Sequence, residues 1–357
     1  MKSLYISVTN LAVAIGLVLA GSPQPVETAA PPAALQAAAL GSIERVDPRL
    51  DAILAPDAKL ELLTEHFGAT EGPVWVQEGR NGHLLFSDMA ANVIYKRTAD
   101  GQVSVFLEKS GYTGDDVLNA GAQSTSGRLA VILIGSNGLT LDPQGRVVIA
   151  AMADRAIARV EKDGTRTNLA DRFDGKRFNG PNDLVVKSNG AVYFTDFAGG
   201  MRGREKSPSR EMPFFAVYLV KDGKVTAVEK DPGGGQPNGI ALSPDEKELY
   251  VGAAGKIFRY DIRPDDTIAN GRLFINSGTD GMKVDQAGNI YTTSGPSVKM
   301  FASDGKLLGS VMLPKILGVS ATNLAFGDAD NMGLYITART HVFRIRLKTP
   351  GVRPGPK

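Results

Sequence analysis

The sequence predicts an all-β protein, a six-bladed β-propeller with four-stranded blades over residues 57–347. Three observations favour it: short alternating strands bounded by turns, a unit that recurs along the chain, and a high glycine content, 41 of 357 residues. A four-stranded blade occupies about 40 to 50 residues. Many tight turns with little helical periodicity are typical of such a fold. A β-sandwich with fortuitous repetition is the alternative.

Each repeat begins with an oxygen-bearing side chain, in five of the six beside glycine or proline, and continues as an apolar strand. Six such starts lie at residues 71, 137, 182, 238, 280 and 323, at intervals of 42 to 66 residues. Asp100-Gly101 is one of the turns that favour hairpins between alternating strands. The last unit shows only three strands. We therefore expect an N-terminal strand at residues 59–64 to supply the fourth and close the ring.

The two ends of the chain differ from the repeat region. Residues 1–30 predict a signal peptide, because Lys2 precedes an apolar run at 11–20 and then small residues. An uncleaved membrane anchor is the alternative, but the run is short for a membrane span. Residues 31–56 are expected to be a linker and N-terminal extension, and residues 348–357 a C-terminal tail. We expect export to a bacterial periplasm, with no stable membrane insertion after cleavage.

Composition excludes several classes of function. The 40 basic and 38 acidic residues give a net charge of +2, with no dense basic run, which argues against nucleic acid as a partner. The chain has no cysteine, which excludes thiolate nucleophiles, zinc–thiolate sites and disulfides. Neither a Gly-x-Ser-x-Gly elbow nor a His-Glu-x-x-His motif is present. A small-molecule partner is therefore expected.

Four of the six starts carry side chains suited to a metal ion. The inner strands of a propeller line its axis, so equivalent starts meet although they lie far apart in sequence. Two carboxylates and two amide oxygens form a site that suits calcium or magnesium. Asn-Gly and Asp-Gly are also common turn formers, so each asparagine or aspartate taken alone has a simpler explanation. The predicted metal ligands are Glu71, Asn182, Asn238 and Asp280.

A second group of polar residues lies at or beside the starts and is predicted to bind substrate. Asn137 and Asn323 occupy the remaining two starts, where they would bind substrate, complete the metal sphere through water, or cap turns. Arg177 and Asn179 precede the third start and would reach a substrate oxyanion or lie in a solvated loop. Asp183 follows Asn182 and would orient its neighbours or support the blade.

A series of motifs, in order along residues 43–347, resembles the SMP-30/gluconolactonase/regucalcin-like (LRE-like) family of six-bladed propellers, in particular its gluconolactonase-type branch. The resemblance implies a divalent cation, usually calcium, held by the four predicted ligands, with magnesium, manganese and zinc as alternatives. It also implies hydrolysis of sugar lactones or related cyclic esters, with Asp280 as general base or as nucleophile. The motifs are Glu71-Gly72-Pro73-Val74-Trp75, Phe86-Ser87-Asp88, Asn137-Gly138-Leu139-Thr140-Leu141-Asp142, Asn179-Gly180-Pro181-Asn182-Asp183, Tyr193-Phe194-Thr195-Asp196, Pro237-Asn238-Gly239, Asp280-Gly281-Met282 and Thr322-Asn323-Leu324.

The chain departs from the gluconolactonase-like pattern in the segments expected to form the pocket wall. Phe194-Thr195-Asp196 continues as Phe197-Ala198-Gly199-Gly200 where the family has Pro-Pro-Tyr-Gly, and Ala151-Met152-Ala153-Asp154 replaces a Glu-His-Gly turn. These changes predict a less polar ligand than a sugar. The leading hypothesis is a metal-dependent lactonase or esterase-type hydrolase. An isomerase or lyase using the same cation, and an exported binding protein, are the alternatives.

Overall fold

The structure, a computed structural model, describes residues 40–126 and 128–356. The predicted signal peptide and residues 31–39 of the predicted linker lie outside the described residues. Within them the chain is almost entirely β-structure, and no helix is long and apolar enough to cross a membrane. The helical segments of this part are short 3₁₀ turns, at Pro48–Ala52, Ala198–Gly200, Arg204–Lys206 and Pro232–Gly234.

The strands follow one another at short intervals. From residue 42 to residue 133 they are β1 (Ser42–Arg45), β2 (Leu60–Glu78), β3 (Asn81–Asp88), β4 (Val93–Thr98), β5 (Val103–Glu108), β6 (Ala122–Ser126) and β7 (Leu129–Leu133). The next group is β8 (Leu139–Leu141), β9 (Val147–Ala151), β10 (Ala156–Val160), β11 (Arg166–Ala170), β12 (Arg172–Phe173), β13 (Lys176–Arg177), β14 (Pro181–Val186), β15 (Val192–Asp196), β16 (Ala216–Lys221) and β17 (Lys224–Lys230). The last are β18 (Pro237–Leu242), β19 (Glu248–Ala253), β20 (Lys256–Ile262), β21 (Ile268–Ile275), β22 (Met282–Val284), β23 (Ile290–Ser294), β24 (Ser297–Phe301), β25 (Leu307–Met312), β26 (Asn323–Gly327) and β27 (Gly333–Arg346).

The prediction of six four-stranded blades is wrong, because the described strands form five large sheets in a five-blade arrangement. Three of these sheets are four-stranded, with orders β11-β10-β9-β8, β14-β15-β16-β17 and β18-β19-β20-β21. The fourth has five strands, β1-β25-β24-β23-β22, and the fifth has six, β26-β27-β2-β3-β4-β5. Two small hairpins, β6-β7 and β12-β13, lie outside these sheets.

The six-stranded sheet arises because β2 is one continuous strand of 19 residues. Its first part pairs with β27, with Leu60 opposite Ile345, and its second part pairs with β3, with Trp75 opposite Leu84. The strands expected to form the first and last blades are therefore joined in one sheet. Pairing of the N-terminal segment with the C-terminal strand leaves no open edge at this junction.

The inner strands of the five sheets surround a common axis. Each contacts the next in the order β2, β8, β14, β18, β22, β26 and back to β2. The six-stranded sheet contributes two of these inner strands, β26 and β2. The starts predicted from the sequence therefore come together at one end of the ring.

The core lies between neighbouring sheets and is rich in aromatic and β-branched residues. Phe178, Phe194 and Tyr218 are fully buried, with ring centroids 4.9–5.2 Å apart. Each side chain of this size contributes roughly 1.5–3 kcal/mol when it is fully buried. Packing of this kind fixes the sheets relative to one another and so fixes the inner strand starts.

Segments at both ends of the described chain pack onto the sheets. β1 pairs with β25, with Ile43 opposite Val311, and the side chains of Leu50 and Leu54 are fully buried. Gly351 forms a bridge with Asp285 on the far side of the ring. Residues 42–54 of the predicted linker are thus part of the folded unit. The domain limits at residues 56 and 348 stay predictions.

Candidate functional site

One end of the ring holds a cavity of about 210 Å³ between the inner strands. All four predicted metal ligands line it, as does Asn137. Glu71, Asn182 and Asn137 are almost fully buried, whereas Asn238 and Asp280 are half-buried. The fold thus brings together side chains that are spread over more than 200 residues of sequence.

The strand pairing is interrupted at three of the four predicted ligands. The ladder shifts register between Glu71 and Val74 in β2, between Pro181 and Leu184 in β14, and between Pro237 and Ile240 in β18. Such a bulge re-aims a side chain that regular pairing would direct along the sheet face. The Gly-Pro and Pro-Asn dipeptides at these starts suit the break because proline has no N–H for the ladder.

Glycine beside two of the predicted ligands allows the strand starts to approach closely. A Cβ at Gly72 would lie 2.0 Å from the carbonyl oxygen of Asn137, and Gly72 also has a φ of +46°. A Cβ at Gly239 would lie 2.5 Å from the carbonyl oxygen of Asp280. Any larger residue at these two positions would push neighbouring starts apart.

Hydroxyl side chains on the second strands hold the starts in place. Ser87 donates to the carbonyl oxygen of Asn137 at 2.9 Å, and Thr195 donates to that of Asn238 at 2.7 Å. Thr293 donates to the carbonyl oxygen of Thr322 at 2.6 Å. Each bond joins one sheet to the start of the next. The repeated hydroxyl therefore connects the sheets around the cavity.

Glu71 and Asp280 form a buried acidic pair. Burial, followed by the charge of Asp280, raises the pKa of Glu71 to about 8. Burial raises the pKa of Asp280 to about 6, against the lowering effect of the hydrogen bond from Asn238. The Nδ2 of Asn238 donates to Oδ1 of Asp280 at 2.9 Å, while the Oε2 of Glu71 accepts from the backbone N–H of Gly72. Two carboxylates in one cavity disfavour each other's ionised form.

Two of the predicted substrate-binding residues, Asp183 and Asn323, are buried beside the acidic pair and do not line the cavity. The Nδ2 of Asn323 donates to Oδ2 of Asp183 at 3.3 Å, and Asp183 is 1% exposed. Lys283 Nζ lies 3.7 Å from the same carboxylate oxygen and 3.4 Å from Oδ1 of Asn323. A Cβ at Gly138 would contact Asp183, so this cluster supports the next strand start.

The other two, Asn179 and Arg177, belong to the segment that leads into β14. Asn179 donates through its backbone N–H and Nδ2 to Oδ2 of Asp196, at 2.9 and 3.1 Å. The Arg177 guanidinium donates to the carbonyl oxygen of Asp154 at 2.8 Å. Burial raises the pKa of Asp196 to about 7, against the lowering effect of these hydrogen bonds. Neither Asn179 nor Arg177 lines the cavity in the described part of the chain.

Several residues that line the cavity were not predicted from the sequence. Arg339 and Arg204 face it, although neither lies at a repeat start. Arg339 follows the second strand hydroxyl Thr337 by two positions, so aligning the second strands of the repeat would have found it. An apolar wall completes the cavity, and its members are Met89, Ala122, Leu133, Met152 and Phe197.

The residues present fit a divalent cation bound by oxygen ligands. Two carboxylates and the amides of Asn182 and Asn238 line one cavity, and Oδ1 of Asn137 is buried without a hydrogen-bond partner. Such a set suits calcium better than a metal that prefers sulfur or imidazole. Among the described residues, no cluster of three or more His, Cys, Asp or Glu side chains is placed to hold a metal. Any cation at this site therefore depends on the amides as well as on Glu71 and Asp280.

The sequence profile of the SMP-30/gluconolactonase/LRE-like region matches residues 69–340. The chain belongs to this family. The predicted family resemblance is thereby confirmed, and the match includes all the cavity residues.

The similarity to known proteins extends over most of the chain. A gluconolactonase from Zymomonas mobilis subsp. mobilis is 36% identical over 329 residues, covering 87% of this chain and 88% of that protein. A solved structure of a gluconolactonase from Xanthomonas campestris has 29% identity and a TM-score of 0.70, covering 85% of this chain and 94% of its own. Regucalcin from Agrobacterium tumefaciens, a calcium-binding protein, shares the fold at 18% identity and a TM-score of 0.62, with 83% and 96% covered.

Proposed function

We propose that the protein is a calcium-dependent lactonase that opens a lactone or related cyclic ester. The observation that carries this proposal is the convergence of Glu71, Asp280, Asn182 and Asn238 on one cavity of the ring. The 36% identical gluconolactonase supports the enzyme class. A small molecule is the substrate that a cavity of about 210 Å³ admits.

Glu71, Asp280, Asn182 and Asn238 would hold the cation. A bound divalent cation would polarise the lactone carbonyl and stabilise the negative charge that develops on its oxygen. The Nδ2 of Asn238 donates a hydrogen bond to Asp280, which leaves the Oδ1 of Asn238 free to bind the cation. Magnesium, manganese and zinc are the alternatives that a titration would distinguish.

Asp280 is the proposed catalytic carboxylate. Its Oδ1 accepts from Asn238, while its Oδ2 accepts no hydrogen bond among the described residues. That second oxygen would take a proton from water as the water oxygen bonds to the carbonyl carbon; the ring C–O bond then breaks, and the departing alkoxide takes that proton. In the alternative role, the same oxygen would bond to the carbonyl carbon and the ring C–O bond would break, giving an acyl intermediate whose ester bond water then cleaves to free Asp280.

The wall opposite the acidic pair favours a substrate with an apolar body. Met89, Leu133 and Met152 pack together in one apolar cluster, with Phe197 against it. Methionine side chains adapt to irregular apolar shapes. Aliphatic and aromatic lactones are therefore expected to react better than polyhydroxylated sugar lactones.

The test measures acid release from sugar, aliphatic and aromatic lactones by the chelated protein and again after calcium is restored. We expect hydrolysis only after calcium restoration. In Asp280→Asn the rate should fall at least about a hundredfold, as loss of a catalytic base or nucleophile does. Asp57→Asn, in an exposed loop, is the matched control and should keep wild-type activity.

The outcomes separate the candidate functions. No acid release from any lactone, in folded protein shown by calorimetry to bind calcium, would refute the lactonase proposal. Conversion of a lactone without acid release would point to an isomerase or lyase. Full activity in the presence of chelator would refute the metal dependence. Unchanged activity in Asp280→Asn would refute the catalytic role of Asp280.

We also propose export to a bacterial periplasm, on the strength of the first 30 residues of the sequence. Fractionation of a Gram-negative host that expresses the full chain tests this. The processed protein should appear in the periplasmic fraction, and deletion of residues 2–20 should retain it in the cytoplasm.

A further inference from the structure

Arg339 of β27 is one of the residues that line the cavity. It pairs across the sheet with Thr70, the residue before Glu71, at a shift in the strand register. Its φ of +59° departs from strand geometry, and this conformation turns it away from the regular ladder. Arg339 is thus placed beside the acidic pair by the backbone and not by a side-chain bond.

The Arg339 guanidinium has no partner within the described part of the chain. Its Nη1 is buried and donates no hydrogen bond to any oxygen of the described residues. Two other arginines of β27 behave differently: Arg344 pairs with Glu61 at 2.7 Å, and Arg346 pairs with Asp328 at 2.6 Å. Arg339 as a whole is half-buried, but a buried N–H without an acceptor is costly, and this favours a ligand that supplies one to Nη1.

Arg339 acts on Asp280 through its charge and not through a direct contact. The positive charge of Arg339 lowers the pKa of Asp280 only as a smaller influence, after burial and the Asn238 hydrogen bond. The two residues form no ion pair within 4.0 Å in the described structure. Oδ1 of Asp280 is already bonded to Asn238 at 2.9 Å.

A second arginine faces the same cavity. Arg204 lies in the 3₁₀ turn after β15 and also has a positive φ, +51°. Its side chain makes no hydrogen bond or ion pair among the described residues, while its neighbour Glu205 bonds to Gln236. If a divalent cation balances the charges of Glu71 and Asp280, two guanidinium charges remain in the cavity.

We propose that Arg339, assisted by Arg204, binds a carboxylate group of the substrate. This inference rests on the proposed function and names its substrate class: lactones that carry a free carboxylate on an otherwise apolar ring. The planar guanidinium binds a carboxylate through two parallel hydrogen bonds, and the bond is strong where water is excluded. The apolar wall formed by Met89, Leu133, Met152 and Phe197 would contact the ring.

The experiment compares two substrates that differ only in this group, γ-butyrolactone-γ-carboxylate and γ-butyrolactone-γ-carboxamide. Wild type should show a KM at least about tenfold lower for the carboxylate. Arg339→Met should raise the KM for the carboxylate at least about tenfold, which corresponds to about 1.4 kcal/mol, and change that for the carboxamide little. Arg339→Lys keeps the charge and should restore part of the difference.

Arg80→Met is the matched control, because Arg80 is exposed in the turn between β2 and β3. It should leave both KM values unchanged. Equal effects of Arg339→Met on the two substrates, or no effect on either, would overturn the inference. A calcium affinity that falls in Arg339→Met, with the preference for the carboxylate intact, would likewise overturn it in favour of a role at the metal.

A binding measurement separates failure of this inference from failure of the proposed function. Cyclopentanecarboxylate has no ester to hydrolyse, so its affinity can be measured by calorimetry in the calcium-loaded protein. Tight binding that Arg339→Met weakens at least about tenfold supports the carboxylate site even if no lactone is hydrolysed. Equal binding by wild type and Arg339→Met would overturn the site even if lactones are hydrolysed.

Discussion

Replacing Glu71 by glutamine should change how stability depends on pH in the metal-free protein. The pKa of Glu71 is raised from 4.5 to about 8, so the native state binds more protons than the unfolded chain between these pH values. The free energy of unfolding must then fall as pH rises through this window, because the unfolded chain releases the proton first. This stabilising effect is complete below about pH 4.5 and lost above about pH 8.

The magnitude follows from the pKa difference. At about 1.4 kcal/mol per pKa unit, the change from 4.5 to about 8 corresponds to about 5 kcal/mol, of which about 4 kcal/mol is lost by pH 8. Glutamine has no proton to lose, and its side-chain oxygen can still accept from the Gly72 N–H that Glu71 bonds at 2.9 Å. Glu71→Gln should therefore remove most of the decline, and above pH 7 the metal-free variant should be more stable than wild type.

Urea denaturation in chelator across about pH 5 to about pH 9 measures this, with the fluorescence of Trp75 as the probe. Trp75 is the one tryptophan of the chain, is buried, and stacks on Tyr335 at 5.4 Å. Glu44→Gln, exposed on β1, is the matched control and should follow the wild-type curve. Calcium should restore stability to wild type at high pH but not to Glu71→Gln. Parallel pH curves for wild type and Glu71→Gln would refute the reasoning.

Three further predictions concern stability. Thr293→Val removes a hydrogen bond between two sheets and should lower the free energy of unfolding by about 1–3 kcal/mol. Its neighbour Thr292 has a buried hydroxyl without a partner, so Thr292→Val should leave stability unchanged or raise it. Equal losses of stability in the two variants, measured by urea denaturation, would contradict this prediction. Asp266→Ala leaves Lys187 and Lys221 without their buried acceptor and should lower the free energy of unfolding by about 3 kcal/mol. A loss below about 1 kcal/mol would contradict this prediction. Asp196→Asn places the NH2 group of the new side chain against the backbone N–H groups of Asn179 or Gly180, and it should therefore lower the stability of the fold. It should also shift the start of β14 and lower lactonase activity. A stable variant with full activity would show that this contact does not position the site.

The convergence of the four predicted ligands on one cavity could be predicted from the sequence. Glu71, Asn182, Asn238 and Asp280 each stand beside glycine or proline at a strand start, so the local sequence is enough to select them. The number of sheets was not predictable in the same way. Whether β2 ends after residue 64 or continues to Glu78 depends on pairing with β27, almost 300 residues away, and the sequence of β2 alone does not decide it.

Long-range geometry also explains why some cavity residues were not predicted and why some predicted residues do not line the cavity. Arg339 lies on a second strand, and only its register opposite Thr70 shows that it reaches the cavity. Asp183 and Asn323 lie at or beside strand starts, as predicted, but their side chains contact each other and Lys283 and do not line the cavity. A difference of one residue along a strand reverses the direction of the side chain, so a motif locates a site more reliably than it orients each member.

The acidic pair ties stability and function to the same interaction. The charge of Asp280 that raises the pKa of Glu71 makes the metal-free ring less stable when both groups ionise. A cation that binds only the folded ring recovers this energy and adds to stability in proportion to the logarithm of its concentration. Because Glu71 must lose its proton to serve as a ligand, cation binding competes with that proton up to about pH 8. The arrangement that destabilises the metal-free site would therefore be the one that binds a divalent ion, and neutralising Glu71 should weaken cation binding while it relieves the destabilisation.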